Sequence, residues 1–336
     1  MSAENLDPLP IRRILCLDGG GIMGTLPASF LAAIERNLDR PIGEYFDLIA
    51  GTSTGGILAI GLGLGLSAQQ LLDLYVDRGP FIFGEGTSGL EGFISRLGRK
   101  IKHWVATKHD ATALRRELDA ILGQRQLGES RTRLLIPSWD PLHRSVYIFK
   151  TAHHDRLKTD YSRLAVDAAM ATAAAPTIFR RHTTADHVGL FDGGVWANNP
   201  IALAVVEAIS ILGWPSSSLR ILSLGCVNEV YALGAAPGKI GIIRDLSRLF
   251  MDGQSRGALG IAKLLTGHEH EREAIFRVCP DVPKDLYAMD DTRKISELRG
   301  MGAAAARKEC PRLEPIFFQA PAESFEPIHK LKGTLT

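Results

Sequence analysis

The sequence predicts an α/β fold: a mainly parallel sheet covered by helices on both faces. Three observations predict it. Two strand, glycine-turn, helix units follow one another between Arg12 and Leu66, the signature of a parallel, helix-covered sheet. Further short apolar runs alternate with segments of helical spacing as far as Leu224. The 336 residues, 45% hydrophobic, 23% charged and 7% aromatic, have ordinary globular composition, which excludes disordered, collagenous and disulfide-scaffold chains. At roughly 150 residues per domain, the length suits two domains or one large α/β domain with insertions.

The first unit runs from Arg12-Arg13-Ile14-Leu15-Cys16-Leu17 to a carboxylate, Asp18, then through glycines into Leu26, Phe30, Leu31, Ile34 and Leu38 at helical spacing. The second runs from Phe46-Asp47-Leu48-Ile49-Ala50 through Gly51-Thr52-Ser53-Thr54-Gly55-Gly56 into an apolar segment starting at Ile57. Further strands are predicted at Leu134–Pro137, Ser145–Lys150 and Leu219–Leu224, and helices at Leu164–Ala174 and Ile201–Leu212. Between Phe83 and Arg133, glycine-rich turns and a basic stretch read as an insertion or cap. From about Gly234, helical patterns at Ile242–Met251, Ala258–Leu265 and Ile295–Lys308 alternate with Pro- and charge-rich connections. The predicted organisation is an α/β core at 11–226, with the insertion at about 83–133, and a helical extension at 227–336 packed on the core. Ligands of such a sheet bind at the carboxyl ends of its strands.

Charge and cysteine usage narrow the setting. Thirty-nine basic and 37 acidic residues leave a formal charge of +2, which gives no reason to expect a nucleic acid polymer as partner. Locally, Arg96 to Arg133 holds ten Lys/Arg against four acids, a surplus suited to an anionic membrane surface or a phosphate-bearing ligand, or simply to a solvated helix face. Cys16, Cys226, Cys279 and Cys310 form no C-x-x-C pair, and the first two sit in apolar runs, as buried thiols of a reducing compartment do. The polar, proline-containing Met1–Pro10 is not a signal peptide, and the apolar stretches Ile57–Leu66 and Ile201–Leu212 are shorter than the ~18 to 20 residues of a spanning helix. The expectation is a cytoplasmic protein that touches a membrane peripherally.

Two glycine motifs carry chemistry. Gly19-Gly20-Gly21-Ile22-Met23-Gly24 satisfies G-x-G-x-x-G between a strand and a helix, where free amides suit a pyrophosphate or an oxyanion, unless the turn only reverses the chain. Gly51-Thr52-Ser53-Thr54-Gly55 is G-x-S-x-G at a strand-to-helix junction, the arrangement that exposes a serine hydroxyl on a strained turn. A serine nucleophile needs a base. Chain order Ser, acid, His would require His268, His270 or His329, none in a clear strand-end loop, while His153, His154, His182 and His187 precede any such acid. The alternative base is Asp192, in Phe191-Asp192-Gly193-Gly194, where an apolar approach and two glycines place a partly desolvated carboxylate against a neighbouring backbone. A glycine turn leading to a helix cap would have the same sequence.

Together the three clusters resemble the patatin-like phospholipases: Asp18-Gly19-Gly20-Gly21-x-x-Gly24, Gly51-Thr52-Ser53-Thr54-Gly55-Gly56 and Asp192-Gly193-Gly194, in that order, with Ala173-Ala174-Ala175-Pro176-Thr177-Ile178-Phe179 before the last. The resemblance covers residues 11 to about 226. It implies a Ser-Asp dyad, Ser53 as nucleophile and Asp192 as base, with the amides around Gly19, Gly20 and Gly21 as oxyanion hole. The family often carries a basic residue where this chain has Met23.

The function expected on this basis is hydrolysis of lipid esters, with glycerophospholipids as the expected substrates and no metal or cofactor. The overall architecture is also similar to the cyclic-nucleotide-activated phospholipases of antiphage defence, which implies a cyclic di- or trinucleotide activator, with a homo-oligomer as a plausible carrier of the switch. Two rivals from other classes remain at the level of sequence. A dinucleotide-binding oxidoreductase rests on Gly19 to Gly24 alone, and a catalytically silent interaction protein would keep the fold without the chemistry.

Overall fold

The computed structural model describes residues 10–82, 111–176, 178–230, 239–268, 270 and 272–331, and of 239–248 the helical course alone. In chain order its strands are β1 Arg12–Leu17, β2 Leu48–Gly51, β3 Arg133–Asp140, β4 Ser145–Lys150, β5 His182–Thr183, β6 Gly189–Asp192, β7 Leu219–Leu224, β8 Asn228–Val230, β9 Ile275–Val278 and β10 Asp281–Pro283. The helices are α1 Thr25–Glu35, α2 Thr54–Gly63, α3 Ala68–Asp73, α4 Gly79–Ile82, α5 Ala111–Leu122, α6 Ala165–Thr172, α7 Gly194–Ala197, α8 Ile201–Val206, α9 Lys239–Thr266 and α10 Ile295–Phe317.

The main sheet has the order β5-β6-β3-β2-β1-β7-β9, with β4 also paired to β3. The β3-β2-β1-β7-β9 pairings are parallel, and β4 and β6 run antiparallel to β3. The sheet is therefore mixed and mostly parallel. Period-two alternation along β1 sorts side chains between two layers. Leu15 and Leu17 enter one core with α1, α2, α3, α6 and α10, while Ile14 and Cys16 enter a second with α8 and α9. Both faces of the sheet are covered, as the two strand-turn-helix units predict.

The C-terminal third departs from its sequence reading in three places. The strand β9 extends the main sheet beside β7, so residues 227–336 supply more than helices. The two helices expected at Ile242–Met251 and Ala258–Leu265 are one, α9. Gly253, Gly257 and Gly260 face open space, and Ala258 and Ala262 bury the opposite face, so packing outweighs the roughly 1 kcal/mol that each glycine costs a helix. Likewise α10 runs past Lys308 through Pro311 and Pro315. Each proline removes a helical donor, and the burial of Leu313, together with that of Phe317 against Phe46 and Phe276, carries the helix through them.

Five of these ten basic residues lie outside the described residues: Arg96, Arg99, Lys100, Lys102 and Lys108, with the first part of the predicted insertion. The described arginines of that stretch are tied into the fold. Arg115 pairs with Asp119 and Asp167, Arg116 with Glu117, and Arg131 with Glu44. Arg125 donates to three carbonyls, and Arg133 lies over the rings of Trp214 and Phe325. Among the described residues, no helix is long and apolar enough to cross a membrane.

Candidate active site

The carboxyl ends of β1, β2 and β7 meet the end of β6, and every glycine motif lies at that edge. Ser53 occupies the junction of β2 and α2 with φ 55° and ψ −122°, a conformation that costs a non-glycine residue on the order of 1–3 kcal/mol. Its neighbours hold it there. The Ser53 amide donates to Thr172 Oγ1 at 3.0 Å, the Thr52 hydroxyl to the Ala197 carbonyl at 2.6 Å, and the Thr54 hydroxyl to the Tyr75 hydroxyl at 2.6 Å. Gly55 is required by close approach: a Cβ there would run into the Leu17 carbonyl of β1. Gly51 in turn packs against the carbonyl of Gly55, and Gly24 against the Thr54 side chain, so the first two motifs interlock.

Asp192, the last residue of β6, is 4% exposed. One carboxylate oxygen accepts the Gly194 amide at 2.6 Å. Burial pushes the carboxyl up to about 7, against the opposing pull of the Ser53 side chain and the Gly194 amide. Gly193 lies against the Pro137 carbonyl of β3, leaving no space for a side chain. The loop then turns through Asn198 and Asn199, and Asn199 Oδ1 accepts the Ile201 amide at the start of α8.

The first glycine turn abuts Ser53: an added Cβ on Gly19 would stand 3.2 Å from Ser53 Cβ. The Gly19 amide donates to the Asn198 carbonyl at 3.0 Å, whereas those of Gly20 and Gly21 have no partner among the described residues. Gly21 has φ 59°, which favours glycine there. Gly20 is covered by Cys226.

Sequence reasoning missed one member of this edge. Arg277, on β9, holds Asp18 with both guanidinium nitrogens at 3.0 and 2.5 Å and also donates to Ser223 at 2.8 Å. Burial raises the Asp18 carboxyl while Arg277 pulls it down. The pair anchors the residue that opens the glycine turn. The signal available was a lone arginine inside the apolar run Ile275-Phe276-Arg277-Val278; nothing in the sequence pairs it with a residue so far away.

Four of the histidines bond elsewhere in the fold. His153 meets Glu207 at 2.9 Å and His182 meets Asp167 at 3.1 Å. His268 accepts the amides of Ala274 and Ile275, and His329 reaches the Asp155 carbonyl. Among the described residues, none hydrogen-bonds Ser53 or Asp192. The site therefore presents a buried carboxyl raised to about 7, a serine on a strained turn, and a glycine turn against that serine whose Gly20 and Gly21 amides have no partner among the described residues.

Comparison with known proteins places the chain in a family. Residues 15–205 match the patatin-like phospholipase family. The chain is 30% identical to a cGAMP-activated phospholipase of Vibrio cholerae, over 94% of this chain and 96% of that protein. It is 35% identical to a cGAMP-activated phospholipase of Pseudomonas aeruginosa over 65% of this chain and 63% of that one. It is 34% identical to patatin-like protein 2 of Arabidopsis thaliana over 64% and 60%. The chain thus spans nearly all of the Vibrio protein and under two thirds of the other two. A family match across more than half of the chain, and a relative aligned almost end to end, show that the chain belongs to the patatin-like phospholipase family.

Proposed function

We propose that the protein hydrolyses acyl esters of glycerophospholipids with Ser53 as nucleophile and Asp192 as its base, and that a cyclic dinucleotide of the cGAMP kind switches it on. The observation that carries the dyad is Asp192: a buried carboxyl raised to about 7 beside a serine hydroxyl is half ionised near neutral pH, as a general base should be. Ser53 Oγ attacks the ester carbonyl as its proton passes to Asp192. The Gly20 and Gly21 amides receive the tetrahedral anion, a role worth roughly 3–4 kcal/mol of barrier per donor. Collapse expels the alcohol, which takes the proton from Asp192 and leaves an acyl-Ser53. Water, deprotonated by Asp192, then releases the fatty acid and restores the serine.

Activation is supported by likeness over nearly the whole length of a cGAMP-activated relative, including the region beyond residue 205. We treat residues 227–336 as an extension of the 11–226 core, and the undescribed basic residues of the insertion as the charge available to a phosphate-bearing activator. The test is hydrolysis of a phospholipid panel by wild type and Ser53→Ala, with and without cyclic di- and trinucleotides, while light scattering follows oligomer size. Activation is expected with cGAMP alone or strongest with it. Full activity that no nucleotide changes would leave a constitutive hydrolase.

Peripheral membrane contact has a candidate surface in α9. Its inner face delivers Gln254 and Ser255 to Asn199 of the Asp192 loop. Its outer face exposes Leu249, Phe250, Ile261, Leu264 and Leu265, with Phe250 69% and Leu264 77% exposed. An apolar face of this kind beside a lipid-hydrolysing site suits the headgroup boundary of a bilayer. Phe250→Asp with Leu264→Asp is expected to lower vesicle hydrolysis at least about tenfold while leaving a soluble short-chain ester within about twofold. Equal loss on both substrates would remove α9 from membrane contact.

A further inference from the structure

The segment after α6 stands out in the sequence, yet the dyad chemistry does not use it. In the fold it touches both members of the dyad. The hydroxyl of Thr172, fully buried at the end of α6, accepts the Ser53 amide at 3.0 Å and donates to the Pro137 carbonyl of β3 at 2.6 Å. Two residues later, the Ala174 carbonyl accepts the Asp192 amide at 3.1 Å.

A threonine in a helix ordinarily turns its hydroxyl back to a carbonyl of its own helix. Thr172 instead reaches across to a strand and a turn. The sequence makes room for it: a Cβ on Gly56, the second glycine after Thr54, would stand 2.6 Å from the Thr172 methyl. The same Pro137 carbonyl lies against Gly193, so one strand carbonyl is gripped from both sides of the dyad. Ser53 lacks an intrahelical partner for its amide, as helix caps do, and its strained φ persists only where surrounding bonds over-determine it.

We propose that Thr172 is a positioning residue that fixes the Ser53 backbone relative to Asp192, with the Thr172–Ala174 segment as a strut setting the separation of nucleophile and base. The inference rests on the dyad proposed above. Misplacement by about 1 Å is enough to lower turnover ~100-fold, so the hydroxyl should act on kcat and leave ground-state binding largely intact.

The experiment compares wild type, Thr172→Val and Thr172→Ser. It reads kcat and KM on a soluble short-chain phosphatidylcholine with cGAMP present, the rate of fluorophosphonate labelling, and thermal melting. Valine keeps the shape and loses the hydroxyl. It is expected to lower kcat more than about tenfold with KM within about threefold, and to slow labelling in parallel. Serine keeps the hydroxyl and loses the methyl against Gly56, and its kcat should lie closer to wild type than to the valine variant. A valine variant within tenfold of wild-type kcat, a loss confined to KM, or a serine variant as slow as valine would overturn the proposal. If Thr172→Val gives no cooperative melt, Thr172→Ala is read against the same thresholds. Ser53→Ala run alongside separates the two readings. Retained hydrolysis there sinks the dyad itself, whereas an inactive Ser53→Ala with a fully active Thr172→Val sinks only the strut.

Discussion

Ser53→Ala is expected to abolish phospholipid hydrolysis and fluorophosphonate labelling, with turnover falling roughly 10⁶-fold, the scale on which serine hydrolases lose rate without their nucleophile. The fold should survive, because the change removes one hydroxyl from a half-buried turn whose amide is held by Thr172. Ser53→Gly makes the argument sharper. At φ 55° a side chain carries strain that glycine does not, so the glycine variant should be as inactive as alanine yet more stable by about 1 kcal/mol. Kinetic assays and thermal melts of the two variants read both quantities. Turnover in either variant above about 1% of wild type would assign the nucleophile elsewhere. An alanine variant as stable as the glycine one would mean that the turn stores no strain.

What the sequence made legible was local. β1 and β2 were readable because apolar runs feed directly into glycine turns, and Ser53 because G-x-S-x-G at such a junction has a geometric purpose. The burial of Asp192 was readable for the same reason: a carboxylate between an apolar strand and two glycines already describes a desolvated group pressed against another backbone. The unreadable parts depend on partners brought from far along the chain. Arg277 and Asp18 form one ion pair across the sheet, and no periodicity links them. Thr172 looked like one more small residue in an alanine-rich helix, because its acceptor Pro137 and its donor Ser53 lie on other elements. The fusion of two predicted helices into α9, and the passage of α10 through two prolines, likewise follow from burial and not from propensity. The distinction among the amides of the glycine turn likewise depends on a distant partner, since the Asn198 carbonyl takes that of Gly19.

Asp192→Asn is expected to remove between about 10² and 10⁴ of the rate, the range general bases supply, since an amide accepts no proton, while making the protein more stable in alkaline buffer. The sign follows from the direction of the shift. The folded carboxyl titrates near 7 against a reference of 3.8, so between those values the native state binds more protons than the unfolded chain, and stability falls as pH rises through the window. The carboxyl's contribution is fully present below about pH 4. Above about pH 7 the ionised, buried group costs on the order of 4 kcal/mol relative to its protonated form. Asparagine keeps an oxygen for the Gly194 amide and carries no charge. Melting temperatures of wild type and Asp192→Asn should therefore converge near pH 4 and separate by pH 8, with the variant higher. Over the same interval wild-type kcat/KM should climb about tenfold per pH unit below 7 and level off above it, since only the ionised form accepts the Ser53 proton. The buried environment that destabilises the ionised protein is the one that makes its base strong enough to work at neutral pH. A flat pH-rate profile between 5 and 8, or an asparagine variant less stable than wild type at pH 8, would overturn that coupling.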